Sequence, residues 1–488
     1  MFLAHRPRGI SCYFLRMNDL LNGDQINGNP DTPIRLAIIG CGQRGKNYSE
    51  YAILAPAECK VVAIAEPRPK AREAMASTHN VEDGLIFNTW EDLHKASTES
   101  IKATGNKLAD AIIVAVQDRL HCEVVLAFTE QGYDILCEKP LATNVGDCIR
   151  ISEAVKKAGI IFGIGHVLRY SPYSKAMAEV IYSGSLGKLI NIQHLEPVGY
   201  YHFAHAYVRG AWANEEESTF SLMAKSCHDI DIMCGMISPA VPIRVSSFGS
   251  LQHFKKSEKP PAAGSATRCL ECPIEGECPY SAKSIYLDRI KAGETGWPVS
   301  TLVDGIPDIE NITHALQTTS YGKCVYESSN NVVDNQIVNI EFSSGATASF
   351  TMVAFTSLIC ERQTRLHFTH GEIVGDMNEF TVTDFRARAN SSSKNATDVE
   401  VDVNNNTPGK ILYRPPRDGG GHGGGDLGLI AAFVRAVRKQ DQQELGVTLD
   451  EIIRSHLVVF AAETARLKNQ VVDVKEFIKE SKITYLPN

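Results

Sequence analysis

The chain has 488 residues, of which 43% are hydrophobic and 22% charged, and its formal net charge at pH 7 is −8. This length allows two or three domains, each with a core of its own. The negative balance argues against a nucleic-acid partner or an anionic membrane surface, because either would require a basic field. No apolar stretch approaches the roughly 18 residues of a membrane span, so we expect a soluble protein.

Residues 1–31 are predicted to be a disordered extension ahead of the first domain. This segment opens with basic residues, among them Arg6 and Arg8, and contains no acid before Asp19. Its composition faintly resembles a mitochondrial transit peptide, so mitochondrial import stays open beside the favoured cytoplasmic location. The chain contains 13 cysteines, and several lie inside apolar runs, as expected of reduced core thiols in an intracellular protein.

A buried strand is predicted at 34–39, where the sequence is an almost uninterrupted apolar run. It leads into Gly40-Cys-Gly-Gln-Arg-Gly45, the glycine turn, and then into a helix-like stretch at 46–55. A second strand, 59–65, ends at Glu66. This order of strand, glycine turn, helix, strand and acid is the context in which G-x-G-x-x-G predicts a dinucleotide-binding site.

The glycine turn supplies the first predicted cofactor contacts, because its backbone amides can approach the pyrophosphate at the helix N-terminus. Glu66 can accept hydrogen bonds from the adenine-side ribose and repels a 2′-phosphate, which favours NAD. Arg68, two residues later, keeps NADP open, and a tight turn without a ligand is the competing interpretation. The predicted contacts within the turn are Gly40, Gly42, Gln43, Arg44 and Gly45.

The alternation of strands and helices continues after this unit. Further strands are predicted at 109–116, 133–137 and 160–164, with helices at 122–131 and 141–158. The pattern indicates an α/β Rossmann domain with a doubly wound parallel sheet, which we place at residues 32–165.

The strand at 133–137 is followed by Glu138-Lys139-Pro140. Together with the glycine turn, Arg169-Tyr-Ser-Pro172 and His228-Asp-Ile-Asp231, this tripeptide resembles the signature of the Gfo/Idh/MocA superfamily (glucose–fructose oxidoreductase, inositol dehydrogenase and relatives). The resemblance runs from about residue 34 to the C-terminus. It implies a second domain, 166–488, of the α+β class with a large, open, predominantly antiparallel sheet for substrate binding and oligomerisation. A homodimer or homotetramer is therefore expected.

The resemblance implies that Lys139 is catalytic beside the nicotinamide and that His228 faces it across the cleft. The residues agree with these roles. An ammonium at the carboxyl end of a parallel strand can stabilise an alkoxide, and an imidazole can take the hydroxyl proton. Lys225, on the same helix face one turn earlier, is predicted to share the proton shuttle. A surface lysine and a structural histidine are the competing interpretations.

Two positions depart from the family pattern. Many sugar and inositol dehydrogenases of the superfamily have an Asp four residues before this histidine, where this chain has Ala224, so the proton relay is expected to differ. Ala115-Val-Gln-Asp118 stands where relatives usually have a Thr-Pro-Asn-type turn, although His121 follows at the expected spacing. The cofactor contacts expected beyond the glycine turn and Glu66 are Gln117, His121, Glu138 and Arg169.

A segment dense in aromatic rings and histidines, 199–212, lies upstream of His228. Carbohydrates bind against aromatic faces and are fixed by convergent polar groups, so a sugar pocket is favoured over a strand with core aromatics. A glycine-rich segment, 418–426, precedes a predicted helix at 427–439 and can let the backbone approach a ligand; a flexible linker is its alternative. The predicted substrate contacts are Tyr201, His205, Arg209, Trp212, Asp231 and His422.

An insertion at about 252–322 carries Cys269, Cys272 and Cys278. Three thiols at this spacing suit a thiolate metal site, and structural zinc is the favoured metal. Cys324 and His253 are the candidates for the fourth ligand, and a disulfide or free thiols are the alternatives. After the insertion the sequence predicts a β-hairpin at 332–352 and a long final helix at 449–468.

The leading functional hypothesis is an NAD(P)-dependent oxidoreductase that acts on a secondary alcohol or ketone of a sugar, polyol or related cyclic substrate. Two alternatives stay open. The Gly-Gly-His-Gly-Gly stretch around His422 is similar to one in the NAD-dependent glycosidases of the superfamily, which oxidise a ring hydroxyl transiently. Other members are non-catalytic NAD-binding regulators, although the presence of Lys139 and His228 argues against that role.

Overall fold

The computed structural model describes residues 32–386, 400–401, 409–416, 419 and 421–485. The extension predicted for residues 1–31 lies outside this range. Among the described residues, no helix has the length and apolar character needed to cross a membrane.

The described residues form two sheets and the helices that cover them. The helices are α1 Gln43–Leu54, α2 Pro69–His79, α3 Trp90–Thr104, α4 His121–Glu130, α5 Val145–Ala158, α6 Pro172–Tyr182, α7 Tyr200–Phe203, α8 Ser221–Met236, α9 Asp288–Lys291, α10 Ile309–Thr318, α11 Gly425–Lys439, α12 Leu449–Lys468 and α13 Val474–Tyr485. The strands are β1 Ile34–Ile39, β2 Cys59–Ala65, β3 Ile86–Phe87, β4 Ala111–Val114, β5 Asp134–Cys137, β6 Phe162–Ile164, β7 Leu189–Pro197, β8 Pro242–Ser250, β9 Asn335–Phe342, β10 Thr347–Val353, β11 Gln363–Phe368, β12 Gly371–Gly375, β13 Phe380–Asp384, β14 Glu400–Val401, β15 Lys410–Arg414 and β16 Val472–Asp473.

The first sheet confirms the predicted doubly wound arrangement. Its six strands are all parallel and lie in the order β3-β2-β1-β4-β5-β6. Strands β4 and β5 are buried along their whole length, which explains why they appear in the sequence as continuous apolar runs. The strand order reverses between β1 and β4, and ligands of open α/β sheets bind at such a switch point, outside the carboxyl ends of the strands.

The second sheet confirms the large, predominantly antiparallel sheet. Its ten strands lie in the order β14-β15-β13-β12-β11-β7-β10-β9-β8-β16, and β7 with β10 is the parallel pair among them. The predicted hairpin is present as β9 and β10. Helix α12 has the predicted bounds, and a capping box between Thr448 and Glu451 fixes its start.

Candidate active site

A cavity with a volume of about 790 Å³ lies at the carboxyl end of β5. Its walls come from the glycine turn, the residues after β5, helix α8, the segment before β11 and the glycine-rich segment. The predicted site residues that line it are Gln43, Arg44, Glu138, Lys139, His205, Trp212, Lys225, His228 and His422. The cavity therefore brings predicted cofactor, catalytic and substrate residues from distant parts of the chain to one place.

The glycine turn has the close backbone packing that its motif predicts. A Cβ at Gly45 would lie 2.0 Å from the Gly40 carbonyl oxygen, and a Cβ at Gly40 would lie 2.3 Å from that of Ala115. Gly40 also has a φ of +94°, which favours glycine. Helix α1 begins at Gln43, inside the motif and earlier than predicted, so its N-terminus is directed at the place where a pyrophosphate would bind.

Glu66 lies at the end of β2 beside this turn. Its carboxylate accepts a hydrogen bond from the Cys41 amide at 2.7 Å and is bound by the Arg68 guanidinium at 2.8 and 3.0 Å. Burial would raise the pKa of Glu66, but these hydrogen bonds hold it below its ordinary value. An ionised carboxylate beside the turn fits the ribose of a dinucleotide and opposes a 2′-phosphate.

Arg44 connects the glycine turn to two other parts of the site. Its guanidinium donates to Glu138 at 2.6 Å and to both carboxylate oxygens of Asp426 at 2.8 and 3.0 Å. The Tyr48 hydroxyl donates to the same Glu138 oxygen at 2.6 Å. Burial would raise the pKa of Glu138, but Arg44 and Lys139 hold it below its usual range. The residue before Lys139 is therefore fixed as a carboxylate.

Lys139 follows β5 and reaches into the cavity. Its ammonium donates to the Ala224 carbonyl oxygen at 2.6 Å and lies 6.0 Å from the centre of the Trp212 ring. The position where relatives have an Asp thus contacts the lysine through its backbone. No carboxylate in the described part of the chain forms an ion pair with Lys139, so its charge is directed at the cavity without a counter-ion.

His228, on helix α8, contacts the guanidinium of Arg362. Arg362, which is 2% exposed, donates from one NH₂ group to Nε2 of His228 at 2.9 Å. Because an arginine can only donate, Nε2 must carry the lone pair, and the proton of a neutral His228 must be on Nδ1. Arg362 in turn pairs with Asp229 at 2.9 Å and Glu196 at 2.5 Å. Burial is the main cause that lowers the pKa of His228 well below its usual range, and Arg362 adds to it.

Lys225 lies on the cavity-facing side of α8, as predicted, but its ammonium contacts Cys360 and Glu196 instead of His228. Its ammonium lies 2.9 Å from the Cys360 sulfur and 3.3 Å from a Glu196 carboxylate oxygen. No hydrogen bond joins it to His228 among the described residues. The predicted proton shuttle between these two side chains is therefore unsupported, because an ion pair already engages the lysine.

The glycine-rich segment places another histidine, His422, in the cavity beside His228. Nδ1 of His422 lies 2.9 Å from a carboxylate oxygen of Asp426, at the start of α11. Asp426 is 1% exposed and also accepts a hydrogen bond from Asn47 at 2.9 Å. The His422 ring centre is 6.2 Å from that of His228.

An aromatic wall lines the cavity beyond these groups, and the insertion forms part of it. Trp297 lies 4.7 Å from the His202 ring and 5.4 Å from the His205 ring, centre to centre. His205 also stacks on Tyr321 at 5.3 Å. Such faces suit the apolar side of a sugar ring. No local pattern in the sequence connects Trp297 with the 199–212 segment.

Several predicted contacts lie outside the cavity lining. Asp231, predicted as a substrate contact, is buried and pairs with Arg169 away from the cavity lining. The His121 ring nitrogens contact the carbonyl oxygens of Pro140 and Val116 at 2.6 and 3.2 Å. Tyr201 lies with its ring centre 4.8 Å from the Arg289 guanidinium. Gln117, which precedes a short 3₁₀ turn, also lies outside the lining.

Arg209 is turned away from the cavity, contrary to its predicted role as a substrate contact. It is 2% exposed and donates to the carbonyl oxygens of Lys323 and Tyr280 at 2.7 and 2.8 Å. The same guanidinium lies 3.3 Å from the Cys269 sulfur. Arg209 therefore joins the π-helical segment that follows α7, Ala204–Arg209, to the middle of the insertion and to the residue just after its end.

Replacing Arg209 by alanine is expected to destabilise the protein, because it leaves buried carbonyl groups without their charged donor. The expected loss in the free energy of unfolding is about 3 kcal/mol. Urea denaturation measures it, with the exposed Arg119→Ala as the matched control. Equal stability of the two variants would contradict this role for Arg209.

The structure does not support the predicted zinc site. Among the described residues, His166, Cys227 and His456 are the one set of three ligand-type side chains with donor atoms within 4.8 Å of one another. Cys269, Cys272 and Cys278 are thus not assembled as ligands, and neither Cys324 nor His253 completes such a set. His253 instead contacts the Tyr326 hydroxyl at 2.9 Å.

The set of His166, Cys227 and His456 is not a metal site either. Nε2 of His456 accepts the Leu141 amide at 3.0 Å, and its Nδ1 contacts the Ile452 carbonyl oxygen at 2.9 Å. Both ring nitrogens of His456 are therefore occupied. Its ring stacks on His166 at 4.9 Å, which is a packing contact.

Comparison with known proteins agrees with this geometry. Residues 34–166 match the model of the GFO_IDH_MocA oxidoreductase family, NAD-binding Rossmann fold. The chain is 26% identical over 214 residues to inositol 2-dehydrogenase 1 of Saccharopolyspora erythraea, covering 44% of this chain and 57% of the relative. It is 23% identical over 344 residues to the scyllo-inositol 2-dehydrogenase (NAD⁺) of Bacillus subtilis, covering 65% and 94%.

A third relative, the 1,5-anhydro-D-fructose reductase of Ensifer adhaerens, is 33% identical over 117 residues, which are 24% of this chain and 35% of the relative. The chain thus spans less than two thirds of two of these three relatives. Among solved structures, a levoglucosan dehydrogenase in complex with NADH and levoglucosan shares the fold, with a TM-score of 0.64 and 17% identity over 91% of this chain and all of that one. Residues 34–166 thus match the Gfo/Idh/MocA oxidoreductase family, and the first sheet and its helices form the NAD-binding Rossmann fold that this family model describes.

Proposed function

We propose that this chain is an NAD-dependent dehydrogenase or reductase that acts on a secondary alcohol or ketone of a sugar, polyol or related cyclic compound. The observation that carries the proposal is that Lys139 and His228 line one cavity at a strand end together with Gln43 and Arg44 of the glycine turn. Relatives named as inositol dehydrogenases and an anhydrosugar reductase support this class of substrate.

The bound nicotinamide would take or supply the hydride, and the chain's own groups would manage the charge on the substrate oxygen. The Lys139 ammonium can stabilise the negative charge that develops on this oxygen. The other cations of the cavity wall are already paired: Arg44 with Glu138 and Asp426, Lys225 with Glu196, and Arg362 with Asp229. Because these cations are paired with carboxylates, the wall favours an uncharged polyhydroxy substrate over an acidic one.

The test is the absorbance of reduced nicotinamide when the full chain is incubated with NAD⁺ or NADP⁺ and a panel of neutral sugars, anhydrosugars and inositols. We expect NADH to form with at least one of them, and NAD⁺ to be preferred because of Glu66. Tight NAD⁺ binding without reduction by any member of the panel would contradict the proposal.

One observation favours a second candidate, a redox-neutral enzyme such as a glycosidase that oxidises its substrate transiently. His422 of the glycine-rich segment lines the cavity beside His228. A relative 25% identical over 163 residues is named as a 2,7-anhydro-N-acetylneuraminate hydratase of Escherichia coli. Product formation without net NADH would support this candidate against the dehydrogenase.

A further inference from the structure

We propose that His422, oriented by Asp426, takes the hydroxyl proton of the substrate, and that His228 keeps its proton and acts as a hydrogen-bond donor. This inference rests on the proposed function. It assigns the proton acceptor in a chain that has Ala224 where an acid is expected.

His228 is poorly suited to accept a proton. Its Nε2 lone pair is occupied by the Arg362 guanidinium at 2.9 Å, so only Nδ1 is left for other contacts, and Nδ1 already carries the proton. Nδ1 is buried and has no hydrogen-bond partner among the described residues. A buried donor without a partner is costly, and a substrate oxygen would satisfy it.

His422 has the opposite arrangement. Asp426 accepts from Nδ1 at 2.9 Å and fixes the proton on that nitrogen, which leaves the Nε2 lone pair available. Asp426 is itself held as a carboxylate by Arg44 and Asn47. A carboxylate behind an imidazole selects the tautomer of a general base and stabilises the imidazolium that forms.

The charged groups around the His422 and His228 rings favour protonation of His422 over protonation of His228. Asp426 faces His422 and raises its pKa, whereas burial, Arg44 and Arg362 lower it, and the balance lies below the usual range. Around His228, Asp229 raises the pKa, while burial, Arg362, Lys139 and His422 lower it further. His422 is thus neutral and able to accept a proton at pH 7. On acidification it should take a proton before His228 does.

Oxidation of the substrate alcohol breaks one C–H bond and one O–H bond. A bound nicotinamide would accept the hydride of the C–H bond, while the O–H bond breaks and its proton passes to Nε2 of His422. A carbonyl forms, and Lys139 and Nδ1–H of His228 donate hydrogen bonds to its oxygen. The His422 side chain is 34% exposed, so its proton can then pass to water. Reduction of a ketone runs through the same groups in reverse.

Nitrogen-15 NMR of the histidine rings in the full chain tests the assignment without turnover. We expect both rings as Nδ1–H tautomers at pH 7, and on acidification we expect His422 to gain a proton on Nε2 while His228 is still neutral. A His228 that titrates first, or a His422 with its proton on Nε2 at pH 7, would overturn the proposal. The signals are assigned with His422→Gln and His228→Gln, and exposed His314→Gln is the matched control.

The pH profile of kcat gives the second readout. The wild-type rate of oxidation should fall at low pH, where the base is protonated. His422→Gln should lose about 100-fold or more in kcat together with this acid limb, whereas His228→Gln should lower kcat and retain the limb. The reverse pattern would overturn the assignment. If no substrate is oxidised by any variant or by the wild type, the proposed function fails, while the NMR result still decides which ring accepts a proton.

Discussion

Replacing Lys139 by alanine is expected to lower kcat about 100-fold or more while NAD⁺ binding is retained. The Lys139 ammonium is held in the cavity by the Ala224 carbonyl at 2.6 Å and has no carboxylate partner in the described residues. It is therefore free to stabilise charge on the substrate oxygen, and alanine removes this stabilisation without touching the glycine turn. Steady-state kinetics with a substrate from the panel give kcat, and quenching of protein fluorescence by the dinucleotide gives the dissociation constant.

The matched control for this variant is Lys95→Ala, an exposed lysine on α3. It should have wild-type kcat and wild-type affinity for NAD⁺. Unchanged turnover in Lys139→Ala would remove this residue from the catalytic machinery.

Replacing Gly45 by alanine is expected to weaken NAD⁺ binding by about 5- to 150-fold, which corresponds to the 1–3 kcal/mol typical of overpacking. The new Cβ would lie 2.0 Å from the Gly40 carbonyl oxygen and 3.2 Å from a methyl group of Ile38. Both Gly40 and Gly45 belong to the turn, so relief requires its backbone to move. The amides that would face the pyrophosphate would move with it.

Gly84→Ala is the matched control, because no atom lies within 4 Å of a Cβ at that position. Titration calorimetry with NAD⁺ compares the two variants, and urea denaturation separates lost affinity from lost stability. Wild-type affinity in Gly45→Ala would show that the turn does not hold the dinucleotide.

The Rossmann fold could be predicted from the sequence because its information is local. Strands buried on both faces appear as continuous apolar runs, as β1 and β2 do, and the observed bounds of these two strands equal the predicted ones. The turn between β1 and α1 requires glycines, because a Cβ at Gly40 or Gly45 would collide with a backbone carbonyl group, and the spacing of the glycines in the motif reflects this requirement. Lys139 and His228 could be predicted from the sequence for the same reason, because each belongs to a short motif.

The groups that surround these two residues could not be predicted, because their contacts depend on the tertiary fold. Arg362 reaches His228 from 134 positions away in the chain, and Glu196 and Asp229 are identified as its partners only by the fold. The cation predicted to help His228, Lys225, instead pairs with Glu196. A lone arginine between strands has no local pattern that distinguishes it from a surface residue.

The 199–212 segment shows how far composition can mislead. Its side chains are divided between the cavity wall, where His205 and Trp212 lie, and the interior, where Arg209 binds the insertion. The cysteines of the insertion predict a structural zinc site, which the structure does not support. In the structure Arg209 contacts Cys269 and Tyr280 inside the insertion and Lys323 just after it, and Trp297 contributes to the aromatic wall.

The most direct test of the hydride-transfer proposal is an isotope-transfer measurement. A substrate from the panel is deuterated at its carbinol carbon and incubated with the full chain and NAD⁺, and the nicotinamide product is analysed by mass spectrometry. If hydride transfer occurs as proposed, reduced nicotinamide that carries the deuterium will form in proportion to the ketone product. Substrate conversion with all of the deuterium retained in the sugar or released to water, and no net reduced nicotinamide, would contradict it.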